Sequence, residues 1–271
     1  MNSLAVLICM AAKADHDLAL RAISSTSAAM RAGDRMFLHV DGAESCAEDA
    51  FRAACASVPI NFFYSRYQIG LAAGLNKLID AGMTFPDLCY FARMDADDEC
   101  LPERLDLQRA FFAANEGVDI LGGRCRECDE NGEHLRTKQL PGTHNKIVSQ
   151  LPRRNPLNHP TVMIRRKVFE SGLRYRTDVG LVEDWQLWVD AAAAGFRLAN
   201  LNEVVLKFRR SKDFFGKRGG WKTATAEWRV RHHARKALHK SSPANFCYAV
   251  AASGLRLMPV SIQAAVYRVL N

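Results

Sequence analysis

Apolar and polar positions alternate between two regimes along the first half of the chain. LAVLICM (4–10) is apolar without a break, which predicts a strand covered on both faces. Asp15 or Asp17 is placed to cap a following helix whose apolar side includes Leu18, Ala22, Ile23 and Met30. RMFLHV (35–40) predicts a second strand, stopping at the turn signal DGA. A helix over about 48–57, the strand INFFY (60–64), a helix over 71–81 and the strand LCYFARM (88–94) come next. Strands alternating with helices at this spacing predict βαβ units and a mostly parallel sheet. In such sheets ligands sit beyond the carboxyl ends of the strands, where Asp41 and the run DADD (95–98) fall.

Beyond residue 100 the pattern predicts a helix with Pro102 in its first turn and Gly117 past its end. VDILGG (118–123) reads as a strand, and the polar stretch 124–156 as an irregular excursion over the site. TVMIRR (161–166) resumes strand character, VEDWQLWVDAAAAGF (182–196) is helical, and EVVLKF (203–208) is a last strand.

Composition narrows the class. The 271 residues are 48% apolar and 24% charged, an ordinary soluble balance for one large domain or two small ones. Eight scattered cysteines suit reduced thiols in a cytosolic protein, and Cys125 and Cys128 form a lone CxxC without a second pair at zinc spacing. The first apolar stretch has no basic residue before it, so it reads as a strand and not as a signal peptide. No segment approaches the ~18 uninterrupted apolar residues of a membrane span. Charge is unevenly spread: residues 1–203 carry 23 basic and 27 acidic side chains, residues 204–271 carry 14 and 2. The positive tail interleaves cations with Trp221 and Trp228, then runs into two short apolar helical stretches broken at Pro259. With no nucleic-acid-binding signature, an anionic membrane surface is the expected partner of this tail; simple packing on the rest of the chain is the alternative.

The candidate chemistry is carboxylate chemistry. In RMDADDEC (93–100), Asp95 and Asp97 are two apart and point to one side of an extended chain. Hard divalent ions such as Mg²⁺ or Mn²⁺ take one or two such carboxylates and complete their shell with water and phosphate oxygens. The alternative is a solvated acidic turn, with Asp98 or Glu99 capping the next helix. Glu183 and Asp184 in VEDW are either first-turn acids favoured by the helix dipole or a general base near a metal–diphosphate site. His159 in NPLNHPTVMIRR is a ligand, a phosphate donor or a structural residue. Neither a P-loop, a dinucleotide fingerprint nor a serine-nucleophile elbow occurs.

QIGLAAGLNKLI, FARMDADDECLPERLDLQ, DILGG, NPLNHPTVMIRR and VEDWQLWVDAAAAGFRLANLNEVVLKFR occur in an order that resembles family 2 of the nucleotide-sugar glycosyltransferases. The likeness is to the bacterial branch that builds exopolysaccharide and lipopolysaccharide, and it spans residues 4 to about 210. The resemblance implies an α/β, Rossmann-like GT-A catalytic domain over 1–210, with a basic amphipathic helical extension over 211–271. It implies an inverting, hexosyltransferase-type enzyme using Mn²⁺ or Mg²⁺. The donor would be a nucleotide-diphosphate sugar, UDP-linked, and the acceptor a saccharide or lipid-linked sugar. Carried over, Asp97 and Asp95 hold the metal, Asp95 also touches the donor ribose, and Asp41 lies near the nucleotide base. Asp184 is the base with Glu183 beside it, and its pKa is expected to rise through burial among Trp185 and Trp188. Asn76, Arg93 and His159 match recurrent donor-side positions. The chain departs from the family in having Val40 before Asp41 and MAAKAD after the first strand. The expected location is the cytoplasm, peripherally at the inner face of the membrane. Two other readings are a sugar-nucleotide pyrophosphorylase, which would want a glycine- and lysine-rich loop near residues 9–17, and an inactive glycan-binding scaffold.

Overall fold

The computed structural model describes residues 3–55, 58–210 and 219–259, together with 262, 263 and 266. Residues 211–218 and most of the apolar stretch after Pro259 therefore lie outside the described residues. The first apolar run forms β1 (Ser3–Ala11), and its side chains part by period two. Leu4, Val6, Ile8 and Met10 enter one core cluster, while Ala5 and Leu7 enter the other. That is why the run has no polar alternate: both faces of the strand are covered.

Asp15 caps α1 (His16–Ala29), accepting from the Asp17 and Leu18 N–H groups. β2 (Arg35–Asp41), α2 (Glu48–Ala54), β3 (Ile60–Ser65), α3 (Leu71–Met83) and β4 (Leu88–Asp95) follow in the predicted order. The sheet order is β3-β2-β1-β4 for this parallel half. α3 lies close on β2: a Cβ on Gly74 would stand 2.6 Å from His39 Nδ1.

Beyond β4 the sheet becomes mixed. β5 (Glu99–Cys100) precedes α4 (Arg104–Ala114), so the helix starts two residues later than Pro102 suggested. The stretch expected to be irregular is largely ordered. β6 (Ile120–Cys128) runs on through it, β7 (His134–Thr137) folds back antiparallel, and α5 (His144–Gln150) follows. The polar look of β6 misleads because the buried Glu127 is neutralised by arginines outside the strand. Arg136 grips it with two hydrogen bonds of 2.9 and 3.0 Å.

A 3₁₀ turn (His159–Thr161), β8 (Met163–Arg165), α6 (Arg166–Glu170) and α7 (Glu183–Ala193) lead to β9 (Leu198–Arg209). β9 begins before the predicted 203 because buried Asn200 finds partners in the Pro141 and Pro156 carbonyls, at 2.9 and 3.0 Å. The order completes as β4-β8-β6-β9-β5, with β6 parallel to β9 and the other contacts antiparallel. α8 (Trp221–Ala237) and α9 (Pro243–Leu255) close the described chain. Val230 and Ala234 of α8 share a core cluster with Trp185 and Trp188 of α7. The extension past residue 210 thus contributes to the same core as the sheet.

Candidate active site

The parallel strands deliver the acids to one rim. β1 sets Ala11 opposite Asp41 on one side and Cys9 opposite Asp95 on the other. Asp41 ends β2, and its carboxylate accepts from the backbone N–H groups of Ile69 (2.8 Å) and Gly70 (2.9 Å). Gly70 has φ of 84°, a conformation natural to glycine, and it opens α3. Asp41 therefore fixes how the loop after β3 enters that helix.

The four acids of DADD diverge. Asp95 ends β4 half-buried and pairs with the buried Arg93 guanidinium. Asp97 is exposed. Asp98 turns inward, 3% exposed, with one oxygen accepting from the Arg209 N–H at 2.9 Å and the other without a hydrogen bond among the described residues. Burial, with Asp95 and Asp97 close by, pushes its carboxyl well above the usual range. Glu99 pairs with Lys207 across β5 and β9 at 2.7 Å. Neither Asp98 nor Glu99 caps α4, so DADD is not an ordinary capping turn.

Beside Asp95 opens a cleft of about 460 Å³ that also collects His159, Glu183 and Asp184. Asp97 lines a second hollow of about 360 Å³, with Asp98, Arg21 and Arg126, which meets the cleft at Phe208. Glu183 and Asp184 begin α7. Glu183 is 7% exposed, and burial beside the Asp184 charge pushes it up to about 7. Asp184 is half-buried: one oxygen accepts from Asn155 Nδ2 and the other from the Trp185 N–H, both at 2.6 Å. Trp185 is itself anchored by its indole N–H to the Leu151 carbonyl at 3.0 Å.

Two predicted residues are joined through Tyr175. Asn76 in α3 bonds the backbone of Tyr175 in both directions, at 2.8 and 2.9 Å. The Tyr175 hydroxyl lies 3.0 Å from His159 Nε2, and the His159 ring packs edge-on to Trp188. Loss of water around the imidazole, with Arg93 adding, holds its pKa well below the ordinary value, so the ring is neutral. Asn76 acts here through the chain Tyr175–His159. Asn155, in contrast, was quoted in NPLNHPTVMIRR without a role, and it proves to be the partner of Asp184. Arg231 and Arg256, from the extension, also line the cleft, which the charge count alone did not foretell.

Asp95 and Asp97 suit a hard divalent cation by the chemistry of their donors. Among the described residues no cluster of three His, Cys, Asp or Glu is placed to hold a metal. The protein thus offers two carboxylates, and such an ion would take its remaining oxygens from water and a diphosphate. Cys125 and Cys128 are free thiols in β6, buried as the composition suggested.

Known proteins share this architecture. The family model described as "Glycosyl transferase family 2" matches residues 34–173, so Glu183, Asp184, α8 and α9 lie past the matched segment. The amylovoran biosynthesis glycosyltransferase AmsE of Erwinia amylovora is 32% identical over 195 residues, 72% of each chain. The UDP-Gal:alpha-D-GlcNAc-diphosphoundecaprenol beta-1,3-galactosyltransferase of Escherichia coli is 29% identical over 214 residues, 77% of this chain and 74% of its own. The mannosyltransferase PcManGT of Pyrobaculum calidifontis, solved with GDP-Man and Mn²⁺, superposes with a TM-score of 0.62 at 14% identity, over 98% of this chain and 79% of that one. S. aureus TarS 1-349 with UDP-GlcNAc gives a TM-score of 0.60 at 12% identity, over 89% and 71%. At these identities the solved structures speak for the fold alone, and that fold is GT-A.

Proposed function

The chain belongs to glycosyl transferase family 2, a family of bacterial polysaccharide synthesis among its relatives, and from that premise we propose a metal-dependent, inverting hexosyl transfer. The donor is a UDP-sugar and the acceptor a saccharide or lipid-linked sugar. The observation that carries this reading is the single cleft joining Asp95, at the rim of the parallel strands, to Glu183 and Asp184 on α7. The galactosyltransferase relative named for a UDP-Gal donor and a diphosphoundecaprenol-linked sugar supports both the donor and the acceptor class. Family membership replaces the pyrophosphorylase alternative.

In the proposed reaction Asp184 takes the proton of the acceptor hydroxyl, which attacks the anomeric carbon opposite the leaving nucleotide. Asn155 and the start of α7 hold the carboxylate in place for that proton. Asp97 and Asp95 would hold Mn²⁺ or Mg²⁺, which when bound offsets the charge on the leaving diphosphate. Arg93 keeps Asp95 at the rim, and Asp41 shapes the loop beside the nucleotide.

The work is placed in the cytoplasm, peripherally on the anionic inner face of the membrane. Among the described residues no helix is long and apolar enough to cross a bilayer. α9 contains no charged residue, yet Phe246 and Val250, one turn apart, are each 48% exposed. Basic residues of α8 and Arg256 flank it, a combination suited to an anionic surface. Since α8 is part of the core, substitution tests this better than deletion. Val250→Glu is expected to weaken co-sedimentation with anionic vesicles while leaving the melting temperature unchanged; undiminished sedimentation would count against it.

The transfer itself is tested by screening nucleotide sugars for thermal stabilisation with and without Mn²⁺. A UDP-sugar should stabilise the chain only with the cation, by about 2.7 kcal/mol at a hundredfold excess over Kd. Stabilisation by no donor, or equal stabilisation in EDTA, would sink the metal-dependent reading. Sugar release to water or to an added acceptor then separates an enzyme from a binding scaffold.

A further inference from the structure

The cleft is lined by acids at Asp95, Glu183 and Asp184, but another part of its wall is basic. Arg231 of α8 is 4% exposed and tightly placed. Its Nε donates to the Arg153 carbonyl at 2.9 Å, and one terminal nitrogen donates to Glu227 at 2.8 Å. Its guanidinium lies 5.0 Å over the Trp185 ring, next to Asp184 in sequence. Its other terminal nitrogen, Nη1, is buried and makes no hydrogen bond among the described residues. Arg256 reaches back from the end of α9 to the second oxygen of Glu227, at 2.9 Å. One carboxylate thus serves two guanidinium groups, which leaves a positive excess. Exposed Arg154 adds to it, directly preceding the Asn155 that holds Asp184.

A cleft floored by carboxylates repels an anionic acceptor unless such cations offset them. Arginine is also the side chain best matched to phosphate oxygens, since its planar fork binds two at once. We propose that Arg154, Arg231 and Arg256 form a subsite for a phosphate or diphosphate carried by the acceptor sugar whose hydroxyl faces Asp184. This rests on the transferase reading and narrows it: the acceptor is a sugar phosphate ester, not a neutral glycan end. The extension then has a second role besides packing, because it supplies two of the three arginines.

The probe is inorganic pyrophosphate, titrated into the full chain by calorimetry in EDTA. Without a cation, the acids of DADD disfavour its binding on the donor side. Binding is expected, and Arg154→Gln and Arg256→Gln should each weaken it roughly tenfold, as for loss of one charge-assisted contact. Arg256→Lys should restore part of the affinity. Among the described residues the Arg154 side chain bonds within its own turn, to Gln150, so that variant keeps the test valid if Arg256→Gln loosens α9. No binding by the unaltered chain, or variants that bind as tightly as the unaltered chain, would overturn the subsite. A parallel arm uses phosphatidylglycerol vesicles: if the variants lose vesicle binding but keep pyrophosphate, the arginines face lipid headgroups and the proposal fails. Mn²⁺-dependent stabilisation by a UDP-sugar should survive both substitutions. If the unaltered chain lacks that stabilisation yet binds pyrophosphate, the transferase reading fails and the acceptor assignment with it, and the arginines are left as a phosphate site of another kind.

Discussion

Two groups of carboxylates, joined through Asp95 at the cleft, sit in opposite surroundings. At DADD the charge is spread out: Asp95 onto buried Arg93, Asp97 at an exposed position, and Asp98 inward onto a backbone N–H of β9. At the start of α7 the charge is concentrated, with Glu183 buried beside Asp184 and pushed up to about 7. The first arrangement leaves two oxygen donors at a rim where a cation and its diphosphate can arrive. The second buries one carboxyl beside the other and raises the pKa of Glu183, the opposite response to crowded negative charge.

The sharpest way to break this contrast is Asp184→Asn. Transfer should fall by roughly 10²–10⁴-fold, the usual worth of a general base, while donor binding with Mn²⁺ persists. Loss of donor binding instead would place Asp184 on the donor side. Glu183→Gln probes the concentrated charge through stability. The folded carboxyl holds its proton more tightly than the unfolded one, so the native state loses stability as pH rises from about 4.5 through about 7. Removing that penalty should leave stability unchanged near pH 4 and raise it by up to about 3 kcal/mol at pH 8. Urea melts at the two pH values would read the difference, and a pH-independent effect would deny the elevated pKa.

Asp97→Asn tests the dispersed group. Most of the Mn²⁺-dependent part of donor stabilisation should disappear, a loss of about 1–3 kcal/mol, with the melting temperature without ligand little changed. A donor shift that survives intact would show that Asp97 faces only the second hollow. The smallest effect is expected from Asn155→Ala, which frees Asp184 without removing it. The rate should drop roughly tenfold, about 1.4 kcal/mol, and binding of donor should not respond.

Much of the sheet was legible because its information is local. β1, β2, β3 and β4 are short apolar runs between helical repeats, and the period of each pattern is visible within a few residues. The rim followed from them, since parallel strands carry their carboxyl ends to one side and Asp41 and Asp95 are terminal. β6 was only half legible: Arg124, Arg126 and Glu127 look like a loop until Arg136 and Arg210 are seen to neutralise the buried acid. The two tail helices invert what hydropathy suggests. α8 holds six charged residues and buries Glu227, Arg231 and Arg235, whereas α9 has none and buries only Asn245 and Ala249. A helix is buried by what lies across from it, and α8 happens to face α7.

From its residues alone the chain settled the order of strands and helices around β1–β4, the placement of acids at strand ends, and a likeness to one enzyme family. Tertiary structure decided which acid turns inward, that Glu183 is buried with its pKa raised, and that Asn155, Arg231 and Arg256 share a cleft with Asp184. The division has one physical cause. Apolar burial follows a periodicity written in consecutive residues, but the cost of a charge depends on partners and solvent that only the folded chain brings within reach.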